Sequence, residues 1–318
     1  MKQSPHDWTI LLAGGSGTRL CGWAGPDDGA HIPKPYRRLV HEEALIDQAV
    51  ARARHLGPAC RLVLVVSAEH ESWWRPRRPQ IPGVTWLVQR DNRGTGGAIL
   101  SALSFLLIKD PEAAFTLMPV DQAIDDEENF LAGIRQGREA LTRHPERTIL
   151  LGSGDDGVDD GYGWIVPGET LEPGLRGVTR FVGRAEPEEA GILRRSGALV
   201  DTFLLVGAAR TLMAQFRRAS PELIERYLST LLDVGPAPDS LMRRQAALPI
   251  LDFGRWFLEP AAARGELAVA TLPPCGWADI GTPERVEAWL DRHQSVRAGV
   301  EALEVPGRGG SGWPSRRH

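Results

Sequence analysis

Short apolar runs recur along the first half of the chain, each closed by glycine, proline or a polar turn. They are Ile10-Leu11-Leu12, Arg61-Leu-Val-Leu-Val-Val66, Val84-Thr-Trp-Leu-Val88, Ala114-Phe-Thr-Leu-Met118 and Arg147-Thr-Ile-Leu-Leu151. Runs without polar alternation read as strands buried on both faces. Between them the period changes. Ala44 to Leu56 places Leu45, Ala49 and Ala53 on one helical face, Ser67 is suited to cap a helix start, and helices are predicted from about Ala98 to Ile108 and Glu127 to Leu141. Strand and helix thus alternate five times. That pattern predicts an α/β protein with a Rossmann-like, doubly wound mixed sheet and ligands at the strands' C-terminal ends.

After Ser153 the pattern changes. Gly154 to Gly161 is a charged, glycine-rich loop, and Tyr162–Val166 and Val178–Val182 read as strands of a hairpin or meander. A helix from Pro187 to Arg195, a strand from Val200 to Val206 and helical stretches from about Ala208 to Ala247 follow. A late strand, Leu267–Leu272, and a last helix, about Pro283 to Arg292, complete the reading. The expected division is residues 1–152 as a first half, 153–295 as a second half of the same domain, and 296–318 as a tail, disordered at its glycine-rich end.

The chemistry concentrates where the first strand ends. Ile10-Leu11-Leu12 empties into Ala13-Gly14-Gly15-Ser16-Gly17-Thr18-Arg19. Glycines let the backbone turn tightly and approach a ligand, successive N–H groups form an anion-binding concavity, and Arg19 adds a cationic fork. The dinucleotide fingerprint fails because Leu20 stands where its third glycine belongs, and the Walker loop fails because Trp23 stands where its lysine belongs. Residues 21–33 form a long loop of the kind found as active-site flaps. Pro33-Lys34-Pro35 then fixes the backbone on both sides of one lysine.

Leu12-Ala-Gly-Gly-Ser-Gly-Thr-Arg-Leu20, followed by Pro33-Lys34-Pro35-Tyr36, resembles the signature of the sugar-phosphate nucleotidyltransferases, most closely their mannose-1-phosphate guanylyltransferase branch. The similarity runs from about residue 8 to about residue 290. The resemblance implies transfer of a nucleotidyl group from GTP or another nucleoside triphosphate to a hexose 1-phosphate, with Mg²⁺ as cofactor. It implies nucleotide contacts from Leu12, Ala13, Gly14, Gly15, Gly17, Thr18 and Arg19, and catalytic roles for Arg19, Lys34 and Asp121. Met118-Pro-Val-Asp-Gln122 and Gly276-Trp-Ala-Asp-Ile-Gly281 resemble the two segments that supply metal-binding aspartates, here Asp121 and Asp279. Mg²⁺ prefers one or two carboxylates plus phosphates and waters, and two aspartates after strands meet that demand. A lone aspartate there is more often a turn residue; the paired match is what favours metal. Gln89, Arg93, Gly94 and Thr95 match the family's base-recognition segment, and glutamine offers a base edge both donor and acceptor.

The sugar half departs from the pattern. Gly163 matches a sugar contact, but where the family has Phe-Val-Glu-Lys-Pro this chain has Phe181-Val-Gly-Arg-Ala185. Gly183 therefore replaces a glutamate that binds sugar hydroxyls, Arg184 replaces the lysine that holds the sugar's phosphate, and Asp201 stands in place of an asparagine. These changes open two alternatives to a GDP-mannose-forming enzyme: a nucleotidyltransferase for another hexose 1-phosphate or nucleotide, or a catalytically weak regulatory protein that binds nucleotide sugars.

Composition narrows this little. The net charge of −4 gives no reason to expect nucleic acid or an anionic membrane as partner. Three distant cysteines, Cys21, Cys60 and Cys275, fit a reducing compartment, and with no apolar signal segment a cytoplasmic location is expected. A homodimer is compatible with the sequence. The ten tryptophans are expected mainly in packing roles.

Overall fold

The computed structural model describes residues 4–15, 17, 20, 32–39, 42–56, 61–154, 161–232 and 248–303. The strands are β1 (Asp7–Ala13), β2 (Arg61–Ser67), β3 (Thr85–Gln89), β4 (Ala114–Pro119), β5 (Gln122–Ala123), β6 (Thr148–Ser153), β7 (Trp164–Glu172), β8 (Leu175–Val182), β9 (Leu199–Ala208), β10 (Leu267–Thr271) and β11 (Ala278–Asp279). Nine of them form one sheet in the order β3-β2-β1-β4-β9-β6-β10-β8-β7, while β5 and β11 pair separately. β1, β2, β3 and β4 run parallel, as do β6 and β10. β9 lies antiparallel between β4 and β6, and β8 lies antiparallel to β10 and β7. The expected mixed, doubly wound sheet is therefore present.

Side chains along the first strands alternate between two cores. Leu11, Ala13, Leu64, Val66 and Met118 face one layer with helices α1 (Leu45–Arg54) and α4 (Glu127–Arg143). Ile10, Val63, Val65, Phe115 and Leu117 face the other, against α3 (Gly94–Lys109) and α6 (Ala209–Ala219). A smaller third cluster joins Leu20, Leu39, Leu45, Ala123 and Ile280 to Val286 and Trp289 of the last helix, Pro283–Leu303. That cluster lies beside the two-residue strands and anchors the C-terminal helix to the start of the chain. β1 has β2 on one side and β4 on the other, so chain connections diverge at its C-terminal end, where α/β sheets bind ligands.

Most predicted elements appear within a few residues of their expected ends. Helix α2 (Glu71–Trp74) is one turn between two stretches of 3-10 structure, and Ser67 caps the first of these, Ala68–His70, accepting from the Glu69 amide. Helix α5 spans Pro187–Arg195 as expected. The long helical stretch after Ala208 divides into α6 and α7 (Pro221–Leu232), and residues 233–247 lie outside the described set. Two corrections matter for function. Helix α3 begins at Gly94 rather than Ala98, because the Leu251 carbonyl accepts from the Gly96 amide at 2.9 Å and satisfies an otherwise free first-turn donor. A π-helical turn, Gly254–Leu258, leads into α8 (Glu259–Ala263), neither of which the sequence pattern revealed. Among the described residues no helix is long and apolar enough to cross a membrane.

Candidate active site

The glycine loop leaves β1 at the centre of the sheet and meets the Pro-Lys-Pro segment. Gly17 has φ +64°, and a Cβ there would stand 2.3 Å from the Cβ of Lys34, so only glycine permits this contact. Lys34 opens a short 3-10 turn, Lys34–Tyr36, whose three residues are all buried. Tyr36 fastens that turn, stacking on Trp73 at 6.4 Å between ring centroids, with the Arg77 guanidinium 5.4 Å from its ring. A lysine held on both sides by proline and from below by a buried tyrosine has little freedom to swing.

Its ammonium lies 2.9 Å from Asp121 Oδ2 and 3.3 Å from Asp279 Oδ1. The two aspartates, far apart in sequence, are brought together by the β5–β11 pair, in which Asp279 is in register with Gln122. The Lys34 side chain is 5% exposed, whereas Asp121 and Asp279 are 33% and 28% exposed, so the carboxylates form the open face of this cluster. Asp279 also accepts from Arg285 of the last helix at 2.8 Å, and that guanidinium lies 3.8 Å from the Tyr162 ring. Two carboxylates beside a glycine loop are donors of the type Mg²⁺ takes, with phosphate and water completing its shell.

Both aspartates line a cleft of about 930 Å³. Leu12, Gly14 and Gly15 form its floor near β1. Gln89, at the end of β3, forms one wall with Gly94 and Thr95. Gln89 is buried, its Oε1 packs where a Cβ on Gly14 would come within 2.8 Å, and its Nε2 has no hydrogen-bond partner among the described residues. A buried donor without a partner beside a cleft gains from a ligand's acceptor. Gly94, with φ +73°, backs onto the Leu251 carbonyl. The Thr95 hydroxyl accepts from the Phe253 amide at 3.2 Å, so this segment is clamped by residues 251–253. Ala13 is buried in β1, and Arg93 stands at the helix start, outside the cleft lining. Thr18 and Arg19 lie outside the described residues.

The opposite wall comes from β7, β8 and β9, with Gly163, Phe181, Gly183, Arg184 and Asp201 along it. A bulge shapes this wall. Gly152 pairs with Asp201 but Leu151 pairs with Leu204, leaving Thr202 and Phe203 extra. Phe203 takes φ 58°, unusual for a bulky residue and costly unless its surroundings impose it. They do: Thr202 donates through its hydroxyl to the Leu151 carbonyl and accepts at its own carbonyl from the Gln122 side chain. Asp201 accepts from the Phe203 amide at 3.0 Å, and its own amide donates to the Gly163 carbonyl at 2.8 Å. Burial pushes the Asp201 carboxyl up to about 6, with the Phe203 amide opposing. The cleft thus carries cation-clamped carboxylates at its centre, an unpartnered amide donor on one side and a half-buried carboxyl on the other.

Residues 9–152 match the family model described as MobA-like NTP transferase domain. The resemblance to sugar-phosphate nucleotidyltransferases read from the motifs is borne out at the level of that family. The chain is 22% identical over 302 residues to a mannose-1-phosphate guanylyltransferase of Sinorhizobium fredii, covering 91% of this chain and 56% of that protein. It spans about half the length of the curated relatives it matches. The fold is similar to that of a mannose-1-phosphate geranyltransferase from Thermus thermophilus, with TM-score 0.72, 24% identity, and coverage of 87% of this chain and 76% of that one. It is also similar to a UDP-glucose pyrophosphorylase complexed with UDP-glucose, with TM-score 0.57, 18% identity, and coverage of 91% and 99%.

Several cleft residues escaped the sequence reading. Gln122, Tyr162, Asp252, Arg255 and Glu259 all line it. Gln122 sat inside a recognised motif but had no assigned task. Asp252, Arg255 and Glu259 belong to a segment with no motif and no clear period, so only the fold brings them to the site.

Proposed function

We propose that this chain is an Mg²⁺-dependent nucleotidyltransferase that joins the nucleotidyl group of a nucleoside triphosphate to a hexose 1-phosphate and releases pyrophosphate, with GTP and mannose 1-phosphate as the preferred pair. The observation that carries this is the meeting of Lys34, Asp121 and Asp279 beside the glycine loop in one cleft. Asp121 and Asp279 would hold the metal, which supplies charge neutralisation at the phosphates.

The chain's own residues account for the rest. Backbone amides at Gly14 and Gly15 face phosphate oxygens, and Lys34, with Arg19, offsets the charge that builds on the leaving pyrophosphate. An oxygen of the sugar phosphate attacks the α-phosphorus as the bond to pyrophosphate breaks, so no covalent enzyme intermediate is needed. Gln89 reads the base edge with its open amide. Residues 1–152 serve the nucleotide and 153–295 the sugar phosphate.

Pyrophosphate release, measured with Mg²⁺ across a panel of nucleoside triphosphates and hexose 1-phosphates, tests the reading. GTP with mannose 1-phosphate should give the highest kcat/KM. A different best pair would keep the reaction and replace the substrates. No release with any pair would refute the enzyme and leave binding only.

A further inference from the structure

Gly183 and Gly254 face each other where the end of β8 meets the π-helical turn. A Cβ on Gly254 would lie 3.3 Å from the Phe181 ring and 4.0 Å from the Gly183 Cα. This close approach brings the next element, α8, against the sugar-side wall of the cleft. Its first residue, Glu259, lines the cleft, and one carboxylate oxygen lies 3.3 Å from where a Cβ on Gly183 would stand. A side chain longer than alanine at 183 would therefore compete with Glu259 for the same volume.

The carboxylate is also poorly satisfied. It is partly buried, forms no ion pair among the described residues, and accepts only the Gly183 amide at 3.4 Å, a long and weak bond. A carboxylate offers about four acceptor sites, so most of its capacity is unused among the described residues. Arg184 and Arg255 line the same region and supply positive charge suited to a phosphate, while Asp201 supplies a second carboxyl. A ligand that fits this set bears an anionic phosphate and several hydroxyl donors.

We propose that Glu259 is the principal acceptor for the hydroxyls of the sugar phosphate, a specificity-determining residue delivered by α8 into the space that glycine at 183 leaves open. This rests on the reading of the cleft as a sugar-phosphate site. The occupant is polyhydroxylated rather than cationic, since the two arginines nearby would repel an amine.

Calorimetric binding of a panel of hexose 1-phosphates and of their single-deoxy analogues separates this from the reaction itself. Wild type, Glu259→Gln, Glu259→Ala, Gly183→Glu and the double variant Glu259→Ala with Gly183→Glu are compared, with nucleoside triphosphate binding as control. Glu259→Ala should weaken sugar-phosphate binding at least tenfold and leave nucleotide binding within twofold. Glu259→Gln, which keeps an acceptor, should lose only a few-fold. Glu259→Ala should also bind one deoxy analogue as well as its parent sugar, a convergence that a merely structural role would not produce. Gly183→Glu alone should weaken binding, and the double variant should recover part of the loss. Sugar-phosphate affinity within twofold of wild type in Glu259→Ala, or equal losses for sugar phosphate and nucleotide, overturns the proposal. Wild type that binds hexose 1-phosphates without turnover refutes the transferase reading alone; wild type that binds nucleotides but no hexose 1-phosphate refutes both.

Discussion

Gly17 backs directly onto Lys34, with a Cβ at residue 17 placed 2.3 Å from the lysine's Cβ. The contact ties the glycine loop to Lys34, whose ammonium reaches both aspartates. Gly17→Ala must relieve both that overlap and the left-handed φ of +64°, a strain of roughly 1–2 kcal/mol for the backbone alone. Its expected effect is a fall in turnover of at least tenfold with a melting temperature lowered by only a few degrees, read from steady-state kinetics and thermal unfolding. Unchanged turnover would detach the loop from the reaction.

Removing the cation should expose its role. In Lys34→Met the carboxylates of Asp121 and Asp279 lose the ammonium that lies within 3.3 Å of each. Turnover should fall by about a hundredfold or more, the scale of losing one preorganised charge at a reacting phosphate. Asp121→Asn and Asp279→Asn should each remove most turnover while circular dichroism stays that of the native chain, and both should weaken Mg²⁺ dependence. Full activity in either asparagine variant would move the metal elsewhere.

Base selectivity should depend on Gln89. Gln89→Ala removes a buried, cleft-lining amide whose Nε2 has no hydrogen-bond partner among the described residues. Competition binding among purine nucleotides should show weaker GTP binding and discrimination reduced by about 1–3 kcal/mol. Retained GTP preference would put base recognition on another residue.

Asp201 predicts a pH dependence with a definite sign. Its folded value of about 6 stands above the roughly 3.9 of an unfolded aspartate. Between those values the folded chain keeps a proton that the unfolded chain has released, so this group makes stability fall as pH rises from about 4 to about 6. Above that window its cost is constant. Denaturant midpoints measured from pH 4 to 7 should show Asp201→Asn losing this downward slope relative to wild type; identical slopes would clear Asp201 of the effect.

Arg184, exposed on the sugar-side wall, should matter for one substrate only. Arg184→Ala is expected to raise KM for the sugar phosphate tenfold or more and leave KM for the nucleotide within twofold. Equal effects on the two would remove it from the sugar-phosphate subsite.

The sheet was legible because its strands are apolar on both faces and end in recognisable turns; α5 and the ends of β2 and β4 came within a residue. Motifs carried Lys34, Asp121 and Asp279, and the fold brought all three together. Local sequence did not reveal the early start of α3, where the Gly96 amide donates to Leu251, about 155 positions away. The two-residue strands β5 and β11 were invisible for the same reason: neither has a period, and each exists only through the other. Glu259 needed the approach of two glycines from unrelated segments, which no spacing along the chain encodes.

The pairing of β5 with β11 also sets the order in which the molecule can become competent. Asp279 leaves the ribosome about 160 positions after Asp121, an interval of roughly 8–30 s at ordinary elongation rates. In that interval β9 arrives to cover the open edge of β4, and Leu251 and Phe253 arrive to hold the start of α3 at Gly96 and Thr95. The last helix, pinned through Trp289 and Val286 to Leu20 and Leu39, then closes the circuit between the two ends of the chain. A molecule whose Asp279 segment has not yet emerged would thus lack the second carboxylate that Lys34 holds, and the Lys34–Asp121–Asp279 cluster would be complete only once that segment has paired with Gln122 and Ala123.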